Sequence, residues 1–228
     1  MHTLANPYIV VVTSSLHPGV GVIPLQDRLD QTLRGLEIIR EKIPNCFIIV
    51  SDVSIEPCDD AKRLVAQKAD MIIDFSGNPQ SIELSKAGLR SHSELIMIKA
   101  TLEWIKQALD VSNVKRIFKN SARHTITEEF NIADYDNPEM VGKYVFKDSV
   151  NSWIKPGEWR LYEGRLWSMD ATQIDHYLSE WDNMYNDCDG TVDIEHVYYR
   201  YLKPENTIEV PMVWVEGYVA LNGRYQKD

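Results

Sequence analysis

Cysteine is scarce. Cys46, Cys58 and Cys188 are the three in 228 residues, and no two stand as C-x-x-C. A disulfide framework and a cysteine-rich zinc site are therefore excluded, and a reducing compartment such as the cytoplasm is the expected location. Long apolar runs are missing as well. Tyr8-Ile9-Val10-Val11-Val12 is among the longest, whereas a bilayer needs about 20 such residues, so no transmembrane segment is expected. The first seven residues, Met1 to Pro7, lack the basic and long apolar regions of a signal peptide. Positive charge is in deficit: 24 Lys+Arg stand against 34 Asp+Glu, a formal net charge of -10. Such a surface repels a phosphate backbone, no basic patch is legible along the chain, and nucleic acid is not an expected partner. Also absent are G-x-G-x-x-G after the first apolar run, the P-loop pattern, H-E-x-x-H and G-x-S-x-G. Dinucleotide dehydrogenases, P-loop enzymes, zinc proteases and α/β-hydrolases lose their support with them.

What is present is an ordinary globular composition, 44% hydrophobic and 25% charged, of a length that suits one domain. The β-branched run at 8–13 predicts a strand buried on both faces. Leu29, Leu33, Leu36, Ile39 and Ile43 form one helical stripe, stopped by Pro44 and Asn45. Strands are predicted at 46–50 and 71–75, with a short helix over 59–68 between them. The pattern weakens over 76–88, which reads as a loop with a helical turn at most. Ser91 and Glu94 have capping-box spacing, opening a helix with Leu95, Ile98, Leu102, Ile105 and Leu109 on one stripe. A strand at 114–118 follows. Strand–helix alternation of this kind dictates an α/β fold with a mainly parallel, doubly wound sheet.

The second half is mixed α+β. It has β candidates at 143–146, 158–167, 208–215 and 217–221. One helix runs from Asp170, with Gln173 as its capping partner, and another covers 193–202. No linker or repeat intervenes. The expectation is one domain whose nucleotide-binding half, 1–118, passes into an acceptor- and sugar-binding half, 119–228.

Ligands of open α/β sheets bind beyond the carboxyl ends of the strands, where the strand order reverses. Thr13, Ser14 and Ser15 stand at the first such end and Asp52 at the second, in reach of a ribose or base, although Asp52 and Ser54 equally suit an Asx turn. Lys119 and Arg123 follow the fourth strand, with Ser121 between them. They could meet a phosphate, or pair with the surplus carboxylates. Arg165 is flanked by Tyr162 and Trp167, whose faces suit a sugar ring and equally suit a core. Asp134 and Asp136, like Asp187 and Asp189, have the D-x-D spacing of a divalent-ion site. Asp193 and Glu195 sit where a helix begins, a place the helix dipole favours for acids; either could also take a proton from an attacking hydroxyl.

These stretches together resemble GT-A-type glycosyltransferases, the nucleotide-diphospho-sugar transferases, and among them the small phage and bacterial members. Residues 8–15 look like the strand that cups the base, and Phe47 to Ser54 is similar to the motif whose acid contacts the nucleoside. Arg116 to His124 looks like a variant of a Lys-Ile-Ser-Gly-Arg-Tyr signature, with Asn120, Ala122 and His124 in place of Ile, Gly and Tyr. Arg165 to Ser168 and Asp193 to His196 resemble later motifs, the last being the acidic one that opens the helix bearing the base. The resemblance implies a transferase moving a sugar from a nucleotide-diphosphate donor to a carbohydrate or other acceptor hydroxyl. Thr13, Ser14, Ser15 and Asp52 would hold the nucleotide. Lys119, Ser121, Arg123, Arg165 and Trp167 would hold phosphate and sugar, and Asp193, or else Glu195, would act as base. A Mn or Mg ion at Asp134 and Asp136 would neutralise the diphosphate, unless the cations do so alone. The altered signature leaves a second reading open, a non-catalytic module that binds a nucleotide or sugar on the same fold.

Overall fold

A computed structural model of the chain describes residues 2–19, 21–157, 159–219 and 223–227. Its centre is a seven-stranded sheet. We number its strands β1 (Tyr8–Ser14), β2 (Cys46–Asp52), β3 (Met71–Asp74), β4 (Arg116–Ser121), β5 (Tyr144–Lys147), β6 (Leu166–Asp170) and β7 (Thr207–Val210). The helices are α1 (Leu25–Lys42), α2 (Asp59–Ala66), α3 (Pro79–Lys86), α4 (Arg90–Ala108), α5 (Ile174–Asp187) and α6 (Ile194–Tyr201). Across the sheet the order is β7-β5-β6-β4-β1-β2-β3. Every neighbouring pair is parallel except β6 with β4 and with β5, so β6 alone runs against the rest.

β1 is buried along its whole length because both faces are covered. Its alternate residues divide between two cores: Ile9 and Val11 face α4, α5 and α6, while Val10 and Val12 face α1 and α2. Each of these side chains is at most 2% exposed, and burying one contributes roughly 1.5–3 kcal/mol. The continuous apolar run in the sequence is thus explained by a central position in the sheet. α1 ends where expected, with Asn45 taking the left-handed conformation at φ 57°. The first-half strands fall where the alternation places them, and the α/β, doubly wound, mainly parallel sheet is the observed class.

The weakly patterned segment 76–88 holds more order than its sequence suggested. Asn78 accepts a hydrogen bond from the Ser81 amide and Pro79 follows it, and this pair starts α3. The capping box at Ser91 and Glu94 does not form. α4 begins two residues earlier, with Leu89 in the cap position and no side-chain cap. Ser91 Oγ instead accepts from the Ile194 amide, and Glu94 turns away into the sheet edge. Gln173 likewise does not cap; Asp170 accepts from the Thr172 amide, and Gln173 donates to Gly142 O.

The second half does not stand apart from the first, although it also forms small sheets of its own. β5, β6 and β7 extend the first-half sheet beyond β4. The candidate at 158–167 resolves into a short strand Arg160–Leu161 and β6, with Glu158 outside the described residues. The candidates at 208–215 and 217–221 become β7 and Val215–Tyr218; Ala220 and Leu221 lie outside the described residues. Val215–Tyr218 pairs with His124–Ile126 and Tyr225–Lys227 in a small antiparallel sheet against α1. Gly217 permits that pairing: a Cβ there would lie 2.7 Å from His124 Cδ2.

Candidate functional site

The strand order reverses between β1 and β4, and a cleft opens at their carboxyl ends. Thr13, Ser14 and Ser15 form its floor with Ser121, Ala122 and Arg123 from the end of β4. α1 contributes Arg28, and the first turns of α4 contribute Arg90, Ser93, Glu94 and Met97. The enclosed part measures about 140 Å³, less than the roughly 300–1,000 Å³ of pockets that take a whole ligand. It has room for the charged end of a ligand whose remainder lies in the mouth.

Charge is what distinguishes this cleft. Three arginines line it, from three separate elements, against one carboxylate, Glu94. Glu94 is already engaged, since Thr13 Oγ1 donates to it at 3.0 Å and Lys119 forms a close ion pair with it. Arg28 is 3% exposed. Its Nε donates to Ile23 O at 3.0 Å and its Nη1 to Ser15 O at 3.1 Å, while Nη2 has no hydrogen-bond partner. Burial, and then the charges of Arg123 and Arg90, push its pKa down to about 10. Arg123 and Arg90 are lowered too, in both cases first by burial. Ser93 Oγ, also buried and lining the cleft, has no partner either. Cations crowded together with unused donors form a site for an anion.

The sequence reading found no basic patch, and the structure corrects it: Arg28, Arg90 and Arg123 are far apart in the chain and meet only through the fold. A signal was nonetheless present. Arg28 lies in the first turn of α1 and Arg90 opens α4, and a helix N-terminus disfavours cations.

No protein-family model matches the chain, and no curated protein matches it. Solved structures do. A galactosyltransferase, LgtC, in complex with donor and acceptor sugar analogues matches with a TM-score of 0.51 at 9% identity, covering 88% of this chain and 72% of that one. An active-site mutant of LgtC matches with the same TM-score at 10% identity and the same coverage. The chain has a GT-A-like fold.

On this GT-A-like fold the other expected residues take diverse places. Asp52 is 1% exposed and stands behind the cleft loop. Its Oδ1 accepts from the Leu16 amide at 3.0 Å and its Oδ2 from Ser54 Oγ at 2.6 Å. It therefore shapes the loop that carries Ser15 and does not line the cleft. Lys119 uses its three donors on Glu94, Ser121 Oγ and Gly164 O. A lysine has no fourth N–H, so it organises the site without direct phosphate contact. Arg165 pairs with Glu163 at 2.5 Å. Trp167 belongs to the core: it is 2% exposed and stacked on Phe146 and Tyr177, with no face open to a sugar.

Asp134 and Asp136 are at the wrong end of the sheet for the expected metal. Tyr8 Oη donates to Asp136 at 3.0 Å, and Lys115 pairs with it at 3.3 Å. Both partners belong to the amino edge; with about 3.3 Å per residue, the seven residues of β1 put the cleft about 20 Å away. Among the described residues, no three His, Cys, Asp or Glu side chains gather as metal ligands.

The two acids of the last helix have different surroundings. Asp193 caps α6, accepting from the amides of Glu195 and His196, and its Oδ1 lies 2.7 Å from His196 Nδ1. Glu195 accepts from the Gly164 amide at 2.9 Å. Burial raises its pKa to about 7, against the lowering effect of that bond. Gly164 O in turn accepts from Lys119. A continuous polar chain thus joins Thr13, Glu94, Lys119, Gly164 and Glu195. Among the described residues no helix is long and apolar enough to cross a membrane.

Proposed function

We propose that the chain is a glycosyltransferase that moves a sugar from a nucleotide-diphosphate donor to an acceptor hydroxyl. The observation that carries this reading is the excess of guanidinium groups at the carboxyl edge of a GT-A-like sheet. Departure of a nucleoside diphosphate builds negative charge on the leaving oxygen, and fixed cations aimed at that point lower the barrier. Arg28 Nη2, Arg123 and Arg90 would receive the diphosphate, with Ser93 Oγ as a further donor. Thr13, Ser14 and Ser15 would lie under the nucleoside, and Ser121 beside the sugar.

Glu195 fits the role of base better than Asp193. Its carboxylate is tied to the cleft through Gly164 and Lys119, and a pKa of about 7 suits proton transfer near neutrality. Asp193 would then hold the first turn of α6 and His196 in place. A divalent ion does not fit the described donors, because Glu94, the only acid lining the cleft, is neutralised by Lys119. The likeness to small phage and bacterial members rests on the sequence stretches alone, and the three buried thiols suit the cytoplasm.

The second reading, a non-catalytic binding module, draws on the full use of Lys119 and the capping role of Asp193 within the protein. Thermal shift with a panel of nucleoside diphosphates and nucleotide sugars, run beside donor hydrolysis, separates the two. Binding with turnover supports the transferase, binding without turnover supports the module, and no binding of any nucleoside diphosphate or nucleotide sugar removes the transferase and leaves only a module that binds sugar.

A further inference from the structure

A second hollow lies outside the cleft, beside α6. Its volume is about 320 Å³, and Trp159, Arg160, His196, Tyr199, Arg200 and Pro204 line it. Two features set its chemistry. The first is aromatic surface. Trp159 and Tyr199 form part of the wall, and Trp153, 61% exposed, stands edge-on to His196 with ring centroids 5.1 Å apart. The exposed indole, next to a residue that lines the hollow, offers an apolar face at its edge. The second is charge. Arg160 and Arg200 line the hollow, the Arg200 guanidinium lies 5.0 Å from the Trp159 ring centroid and Lys155 Nζ lies 4.8 Å from it. Among the described residues no carboxylate lines it.

Arg160 is held in place by Ser149, donating from Nε to Oγ at 2.8 Å and from Nη2 to O at 2.6 Å. Asp187 takes one N–H of Arg200 through Nη1. A guanidinium has five N–H donors, so both arginines keep donors for a ligand. The hollow is also joined to the catalytic side. His196 lines it, and the residue before it, Glu195, reaches the cleft through Gly164 and Lys119. Adjacent residues have Cα atoms about 3.8 Å apart, so the hollow adjoins the helical turn from which Glu195 is linked to the cleft.

We propose that this hollow binds an anionic sugar, a pyranose bearing a carboxylate, as the residue next to the acceptor hydroxyl. The apolar face of the ring would lie on Trp153 and Trp159, and the carboxylate would take paired hydrogen bonds from Arg160 or Arg200. Its role as acceptor rests on the transferase reading; its binding does not.

The test is titration of the protein with a glucuronate-containing disaccharide and with its neutral glucose counterpart, followed by tryptophan fluorescence and by ligand-observed NMR. The acidic disaccharide should bind at least tenfold more tightly. Trp153→Ala and Arg200→Gln, both at exposed positions, should each weaken that binding tenfold or more, while circular dichroism and nucleotide-diphosphate binding stay unchanged. Arg90→Met/Arg123→Met should abolish nucleotide binding and leave the acidic disaccharide bound. Equal affinity for the two disaccharides, binding of neither, or full binding to the Trp153→Ala variant would overturn the proposal. Acidic-sugar binding by a protein that ignores every nucleotide diphosphate would uphold the hollow and sink the transferase reading instead.

Discussion

The two edges of the central sheet carry similar residue types and treat them in opposite ways. At the amino edge, Arg116 is 2% exposed and donates to Met140 O at 2.6 Å and to Ser168 Oγ at 3.2 Å. Tyr8 and Lys115 close on Asp136 there. Charges and donors at that edge find partners within the protein. At the carboxyl edge three arginines crowd one carboxylate that a lysine already neutralises, and Arg28 and Ser93 keep unused polar atoms. A buried cation with its partners in place is part of the scaffold. Arg28, buried with Nη2 unbonded, keeps a donor for something from outside.

Exchanging cations at each edge gives the largest separation. Arg90→Met/Arg123→Met should cost roughly 10²–10⁴-fold in affinity for a nucleoside diphosphate, since each hydrogen bond to a charged group is worth about 1.5–3 kcal/mol. Its melting temperature should hold or rise, because the repulsion on Arg28 is relieved. Arg116→Met should do the reverse. Leaving buried acceptors unpaired should cost about 2–3 kcal/mol, a fall of roughly 4–12 °C, with nucleotide affinity unchanged in the folded fraction. If both variants lost stability and affinity together, the contrast between the edges would be broken.

A smaller effect comes from supplying the missing anion. At about 100 times its dissociation constant, pyrophosphate should add about 2.7 kcal/mol and raise the melting temperature of the unaltered protein by roughly 5–10 °C. The Arg90→Met/Arg123→Met protein should show no such rise in the same scan.

Glu195 provides a pH test. Its carboxyl is raised from 4.5 to about 7 in the folded protein, so the native state keeps the proton longer than the unfolded chain does. Stability should therefore fall as pH rises through that window, with the loss complete above it. Glu195→Gln should match the unaltered protein at pH 4.5 and melt a few degrees higher at pH 8. Turnover should increase with pH around a midpoint near 7 and drop by orders of magnitude in the variant, while donor affinity persists. The smallest change is expected for Asp136→Asn, which should leave turnover and any manganese response as they were and cost at most about 1 kcal/mol.

Period and punctuation made the parallel half of the sheet readable, because strands covered on both faces are written as unbroken β-branched runs and helices as stripes. Ser91 and Glu94 show where local rules fail. Their spacing satisfied a capping box, yet Glu94 bonds to Thr13 and Lys119 on two other elements and not to its own helix end. Position at strand ends pointed to Thr13, Ser14, Ser15, Ser121 and Arg123, all of which line the cleft. Arg28 and Arg90 escaped because nothing in their neighbourhoods along the chain relates one to the other. Asp134 and Asp136 misled for the converse reason: a spacing says nothing about which end of a sheet it will occupy.

The reversed direction of β6 has a consequence for how such a molecule can diversify. Its incoming loop, with Gly164, arrives beside the outgoing ends of β1 and β4, so under the transferase reading proposed above the surface for a second substrate would be written in a stretch of chain separate from the one that grips the first. Swapping the segment between β5 and β6 among related proteins should retarget the recipient and spare the donor.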